Sequence, residues 1–222
     1  MHEQSFQTPG GHLVKLSCRE GTNDRMVAES VIEHDEYRSR DLPMTEGVVV
    51  DVGSHIGSWL VMMLRDHKDM TGIAVEPLTA NVEVLEANLA TNRLTATILQ
   101  GVLSKGKVKQ KVHWNFSGDD LHLMHRYIGG QRMPANTPHD VELAKPYSVA
   151  AIVKAAGGEV AVLKTDCEGG EKALIGSDLS HIRVIVGEYH FAPKELVAHL
   201  SKTHDVIVEG SSGLGSIIAI RK

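Results

Sequence analysis

The chain has 222 residues, 42% hydrophobic and 23% charged, with a net charge of −5 and a pI near 6.2. That length and composition suit a soluble domain that needs neither disulfides nor a structural metal to build a core. The acidic balance argues against nucleic acid as a partner, which asks for a basic stripe, and no apolar run approaches the roughly 20 residues of a membrane helix.

Residues 1–46 carry weak periodicity and read as an N-terminal cap segment ahead of one larger domain, 47–222. Gly47-Val-Val-Val-Asp-Val52 is a short β-branched run, the pattern of a strand buried on both faces. A glycine turn follows, then a helix over 59–67. A second buried strand over 72–76 ends at Pro77, which has no amide to donate. Thr79 is placed to cap the next helix, 80–92, where Val82, Leu85 and Leu89 recur at helical spacing. Alternation predicts a third strand over 95–103 and a fourth, at the edge of the sheet, over 107–116. The lysines at 105, 107, 109 and 111 read as the solvated face of that edge.

From Ser117 to Tyr147 periodicity is lost, and Gly, Pro, Asn, Asp and His accumulate. A loop this long inside a domain is typically functional. Asp119, His125, Arg126 and Tyr127 are its candidate substrate contacts, and His122, His125 and His139 read as solvated side chains. Regularity returns with a helix over 148–156, a strand over 160–166, a short helix over 171–175, a strand over 182–188 and a helix over 194–203. Two last strands, 205–209 and 216–220, flank a Gly/Ser-rich turn and form a hairpin. The alternation of elements predicts an α/β fold, a mostly parallel sheet with helices on both faces and a C-terminal antiparallel hairpin.

Ligands of such sheets sit beyond the carboxyl ends of the strands, where strand order reverses. Asp51-Val-Gly-Ser-His-Ile-Gly57 occupies that place, and the next strand ends in Glu76, a carboxylate able to accept from both hydroxyls of a ribose. This unit suits a dinucleotide or S-adenosylmethionine. The dinucleotide pattern G-x-G-x-x-G wants a middle glycine to approach a pyrophosphate, and here that position is His55. Asp51 places a negative charge that favours an aminoacyl or sulfonium cation over a pyrophosphate. The four residues Asp51, Gly53, Gly57 and Glu76 together favour the methyl donor.

At these residues the sequence resembles the FkbM family of methyltransferases. Val49-Val-Val-Asp-Val-Gly-Ser-His-Ile-Gly57 is similar to the family's first motif, and Ile73-Ala-Val-Glu-Pro77 with Asn81 to its second. Val162-Leu-Lys-Thr-Asp-Cys-Glu-Gly-Gly-Glu171 resembles the motif written KIDVEGAE, and Val186-Gly-Glu-Tyr-His190 the end of the next strand. The similarity runs over about 48–190. It implies a class I, Rossmann-like three-layer sandwich, S-adenosyl-L-methionine as donor and, most often, O-methylation of a small metabolite or sugar. It also implies donor contacts at Asp51, Gly53, Ser54 and Gly57, with Glu76 and Pro77 at the ribose and Gly101, Val102 and Leu103 near the adenine. His55 stands where the family commonly has Asn, which leaves the contact to the methionine carboxylate open.

Methyl transfer to a hydroxyl asks for alignment, exclusion of water and a proton acceptor. Asp166, Glu168, Glu188 and His190 follow the two strands expected beside the donor, and His190 is the preferred base because its ordinary pKa lies near neutrality. Asp166 can instead hold the donor's amino group, and Glu168 and Glu171 can be carboxylates at a helix N-terminus. The same side chains could gather around Mg²⁺ to acidify a hydroxyl, but their spacing is no ligand signature and no metal is assigned. Alternatives from other classes are a nitrogen, protein or RNA acceptor, and a dinucleotide-binding or non-catalytic domain. The expected partner is a small hydroxylated molecule, with neither nucleic acid nor membrane, and oligomerisation is left open. Cys18 and Cys167 form no disulfide framework and the polar N-terminus shows no signal-peptide core, so a reduced cytoplasmic protein is expected.

Overall fold

A computed structural model describes residues 1–43, 46–114 and 140–222. The chain opens with a hairpin, β1 (His2–Gln7) and β2 (Leu13–Cys18), followed by α1 (Asp24–Ile32) and a 3₁₀ turn, Ser39–Asp41. Then come β3 (Gly47–Val52), α2 (Ser58–Asp66), β4 (Met70–Glu76), α3 (Thr79–Thr91), β5 (Ala96–Gln100), β6 (Val102–Leu103) and β7 (Gln110–Trp114). After β8 (Asp140–Ala144) and β9 (Pro146–Tyr147) follow α4 (Val149–Ala155), β10 (Val160–Thr165), a 3₁₀ helix (Gly170–Leu174) and β11 (Ile182–Tyr189). The chain closes with α5 (Lys194–Leu200), β12 (His204–Gly210) and β13 (Gly215–Arg221).

Seven strands form the central sheet in the order β12-β13-β11-β10-β3-β4-β5. The pairings β11–β10, β10–β3, β3–β4 and β4–β5 are parallel, and β13 joins β11 and β12 antiparallel. Strand order reverses between β3 and β10, which puts the ligand crevice of an open α/β sheet over their carboxyl ends. Side chains alternate between the two faces. Val49, Ala74, Val162, Val184 and Val186 pack with α1, α2 and α3 on one face. Val50, Val52, Ile73, Val75, Leu163 and Ile185 pack with α4, α5 and the 3₁₀ helix on the other.

The N-terminal segment is built into the first of these layers. Phe6, Val14, Leu16, Ala28, Val31 and Tyr37 share one cluster with Trp59 and Leu60 of α2 and Leu85 of α3. Asn88 on α3 and Asn92 at its C-terminal cap act as a substitute strand for the hairpin. Their side-chain oxygens accept from the Ser17 and Lys15 amides at 2.7 and 3.0 Å, and Asn92 Nδ2 donates to Lys15 O at 2.7 Å.

Three expectations are corrected. The strand predicted over 107–116 does not edge the main sheet; β7 pairs antiparallel with β8 in a separate ribbon. A period of two marks a strand but does not choose its partner. For the same reason the end of the supposed loop, Asp140–Ala144 and Pro146–Tyr147, is strand, and β9 bridges to β6 in parallel. Thr79 is not the cap of α3: Leu78 holds that position without a side-chain bond, and the Thr79 hydroxyl donates to Glu142 Oε2 at 2.9 Å. Asp119, His122, His125, Arg126, Tyr127 and His139 lie outside the described residues. Among those described, no helix is long and apolar enough to cross a membrane.

Candidate functional site

The amides of the turn after β3 are committed to the end of β4 and to the turn itself. Gly53 and Ser54 amides donate to Val75 O at 2.9 and 3.3 Å, the Gly57 amide to Ser54 O at 2.8 Å, and the His55 amide to Glu76 Oε2 at 2.9 Å. The Ser54 hydroxyl is also committed, donating to Asp51 O at 2.6 Å. Gly53 has φ +75°, and a Cβ there would lie 1.8 Å from Asp166 O, so only glycine lets this turn meet the end of β10. Gly57 (φ +83°) brings α2 against Leu85 of α3. His55 has φ +53°, a left-handed conformation that histidine, like asparagine, adopts more readily than most residues.

The alternation that sorts the core also sorts the polar ends. Asp51, Glu76, Lys164 and Glu188 each lie two residues beyond an apolar side chain of the α1–α3 face, so all four project into that layer at the carboxyl rim. β3 and β10 are paired with Lys164 opposite Asp51, and Lys164 Nζ lies 3.0 Å from Asp51 Oδ1, with side chains 5% and 0% exposed. Nζ also donates to Gly53 O at 2.8 Å. Burial pushes the Asp51 carboxyl above its usual range while Lys164 pulls it back. Burial opposes charge on Lys164 too, yet Asp51 and Asp166 hold its pKa above the ordinary value. Asp51 was expected to place a negative charge that favours a cation; Lys164, which the motif supplies two residues before Asp166, already matches that charge.

Glu76 is buried and accepts three bonds: Leu78 N at 3.1 Å, Asn81 Nδ2 at 2.9 Å and the His55 amide. With two donors on Oε1 and one on Oε2, its spare accepting capacity is on Oε2, which narrows the expected grip on both hydroxyls of a ribose. Asn81 in turn accepts from Arg19 Nη2 at 2.8 Å. Arg19 grips Asp24 through Nε and Nη2, both at 2.8 Å, and His55 Nε2 lies 3.1 Å from Asp24 Oδ1. Against the upward push of burial, Arg19 and His55 hold the Asp24 carboxyl well below the usual range. This network ties the N-terminal segment to the β3 turn and to Glu76.

One cavity opens where these groups meet. Asp51, Gly53, Ser54, His55, Glu76, Pro77, Gly101, Val102, Leu103 and Asp166 line it, ten of the residues expected there. Gly57 does not; it seats α2 instead. Asn23, Val27, Val31 and Tyr37 from the N-terminal segment also line the cavity, as do Ser58, Trp59 and Lys164. None of these was singled out from the sequence, although Lys164 stood inside a quoted motif.

Beyond Asp166 the character changes. Tyr37 Oη donates to Asp166 Oδ2 at 2.6 Å, and the Tyr37 ring lies under Lys164 Nζ at 5.2 Å. Glu171 pins the turn after β10, accepting from Cys167 N at 2.7 Å and Gly169 N at 2.8 Å. His190 sits among carboxylates: Nδ1 is 3.3 Å from Glu171, and Nε2 is 3.6 Å from Glu188 and 3.8 Å from both Asp166 and Glu168. Burial disfavours the cation, but Glu171, Glu168 and Asp166 outweigh it and raise the His190 pKa to about 9. The ordinary pKa that recommended His190 as a base does not apply, because near neutrality the ring already holds its proton. Burial, then the charges of Asp166 and Glu36, push Glu188 up to about 7. Asp166 and Glu168 line the cavity, whereas His190 and Glu188 do not.

Asp166, Glu171 and His190 bring ligand-type atoms within 4.8 Å of one another. Both Glu171 oxygens are already bonded to backbone amides, and a protonated His190 has no lone pair to give, so this grouping suits a charge network better than Mg²⁺.

Fold and crevice define a methyltransferase of the Rossmann-like class. A model of the methyltransferase FkbM domain matches residues 51–209, and the chain belongs to that family. No curated protein matches it. Among solved structures, precorrin-6y C5,15-methyltransferase from Geobacter metallireducens is similar at 11% identity, covering 93% of this chain and 92% of that one, with a TM-score of 0.51. An O-methyltransferase family protein from Burkholderia thailandensis is similar at 13% identity, over 90% of this chain and 58% of that one, with a TM-score of 0.49. TrmK of M. capricolum, in complex with S-adenosylhomocysteine, is similar at 12% identity, over 80% of this chain and 63% of that one, with a TM-score of 0.43. Likeness at this level of identity speaks for the fold alone.

Proposed function

We propose that the protein transfers a methyl group from S-adenosyl-L-methionine to a hydroxyl of a small metabolite or sugar. The observation that carries the donor is the state of the β3 turn. A dinucleotide site needs loop amides aimed at a pyrophosphate; here the Gly53, Ser54, His55 and Gly57 amides donate to Val75, Glu76 and Ser54. With Asp51, Glu76, Asp166 and Glu168 as the acids of the cavity wall and Lys164 matching only Asp51, the crevice disfavours a pyrophosphate and suits an adenosyl group carrying a cationic sulfonium. Glu76 Oε2 would receive a ribose hydroxyl, Gly101, Val102 and Leu103 would border the adenine, and the side chains at the β10 rim would flank the amino-acid tail.

When bound, the donor supplies a methyl group on a good leaving group. The protein's task is to align the acceptor, exclude water and hold its proton. Alignment contributes on the order of 7–11 kcal/mol to such reactions. Glu188, with a pKa of about 7, is the proton acceptor in this reading, reached by way of Asp166 in the cavity wall, since a base is most effective near the working pH. His190 keeps its proton and balances the charge of Asp166, Glu168 and Glu188. Asp166, oriented by Tyr37, faces the acceptor.

A second reading, an amine acceptor, is favoured by the carboxylates at 166, 168 and 188, which would attract a cation. The same charge, with the acidic pI, disfavours RNA. Calorimetry with S-adenosylhomocysteine against NAD tests the donor, and absence of affinity for the former, with Asp51→Ala and Glu76→Ala unchanged from wild type, would sink the reading. Methyl-labelled donor offered with panels of hydroxylated metabolites and of amines then decides the acceptor.

A further inference from the structure

Four side chains of the cavity wall, Asn23, Asp51, His55 and Ser58, carry a buried polar atom with no hydrogen-bond partner among the described residues; Asp51 is ion-paired with Lys164 and His55 with Asp24, which leaves Asn23 and Ser58. Asn23 is 9% exposed and its Oδ1 is unbonded; Ser58 is 3% exposed and its Oγ is unbonded. Leaving such groups unmatched costs about 1–3 kcal/mol each. Both have local alternatives that they do not take. Asn23 occupies the cap position of α1, where an asparagine side chain ordinarily accepts from the first turn, yet it makes no such bond. Ser54, three residues before Gly57, has turned its hydroxyl onto Asp51 O, whereas Ser58, the first residue of α2, has not turned inward.

The positions of both are fixed from outside the cavity. Asn23 is followed by Asp24, which Arg19 and His55 lock to the β3 turn, and its carbonyl accepts from Val27 N at 2.9 Å. Ser58 stands at the N-terminus of the nine-residue α2, where the helix dipole favours an anionic group. An acceptor on one side and a hydroxyl donor at a helix N-terminus on the other form a matched pair for a zwitterion. Val27, Val31 and Trp59 supply apolar wall beside them.

We infer that Asn23 and Ser58 bind the amino-acid end of the methyl donor, Asn23 Oδ1 accepting from its ammonium and the Ser58 hydroxyl donating to its carboxylate. The N-terminal segment, which lies outside the matched span 51–209, is then a working part of the donor site rather than a cover. This rests on the donor reading above.

The test compares two ligands that share the adenosyl group. S-Adenosylhomocysteine carries the amino-acid end; 5′-methylthioadenosine does not. Titration calorimetry on the full chain is expected to show Asn23→Ala weakening S-adenosylhomocysteine by on the order of 10-fold or more, as for a lost bond to a charged group. Ser58→Ala gives a smaller loss in the same direction. Methylthioadenosine affinity stays at the wild-type level in both, and that also shows the variants to be folded. Asn23→Asp, which keeps the acceptor, retains S-adenosylhomocysteine. Unchanged S-adenosylhomocysteine binding in both alanine variants, or equal losses for the two ligands, overturns the inference while the donor reading stands. A wild-type protein that binds neither ligand overturns both.

Discussion

The two halves of the crevice solve opposite problems. Over β3 and β4 the polar groups are buried and mostly matched: Asp51 by Lys164, Glu76 by three donors, Asp24 by Arg19 and His55. Over β10 and β11 the half-buried carboxylates of Asp166 and Glu188 and the exposed one of Glu168 share one imidazole. The first half has its protonation states set by close partners. The second retains groups that titrate between about 7 and 9. A rigid half suits a donor that is always the same molecule, and a titratable half suits the place where a proton must leave.

The largest effect expected of this contrast is on turnover. Glu188→Gln should reduce methyl transfer by about 10²–10⁴-fold, with S-adenosylhomocysteine affinity intact and the rise in rate through pH 7 abolished. Full activity in that variant would place the base elsewhere. On the rigid side, Lys164→Met leaves Asp51 buried and unpaired and should cost about 3–5 kcal/mol in denaturant unfolding. Adding Asp51→Leu should recover much of that loss, and a single variant as stable as wild type would show that the pair is not what holds the switch point.

A smaller change, about 1–3 kcal/mol, is expected for Asn88→Ala, because the Ser17 amide and Ile56 carbonyl lose their partner. Equal stability would mean that the hairpin is not anchored through α3. The gentlest effect is a slope of stability with pH. The folded pKa of Glu188 is raised from 4.5 to about 7 and that of His190 from 6.5 to about 9. Each contribution is therefore complete below the unfolded value and lost as pH rises through the folded one. Unfolding free energy should decline from pH 5 to 9, more steeply than in a His190→Asn, Glu188→Gln double variant. A flat profile in the wild type would remove the titratable half of the comparison.

Much of the donor side was legible because its information is local. A β-branched run, two glycines at fixed spacing and an acid at the next strand end stand within 30 residues, 47–76, and backbone sterics give each a single use. What the sequence did not disclose were the partners. Lys164 neutralises Asp51 from 113 positions away because β10 lies beside β3 in a particular register. Tyr37 reaches Asp166 from a segment whose pattern announced only a cap. His190 was the natural base by its intrinsic pKa, and four surrounding carboxylates reversed that property.

By itself, then, the sequence determined the alternation of strands and helices, the place of the crevice, the residues at the strand ends and the family resemblance. These depend on periodicity and on the steric properties of single residues. The tertiary structure alone decided which strand β7 joins, which charges cancel, which carboxylate titrates near neutrality and that Asn23 Oδ1 and Ser58 Oγ find no partner among the described residues. Those outcomes depend on distances between residues far apart in the chain, and an electrostatic energy or a hydrogen bond exists only once that distance is set.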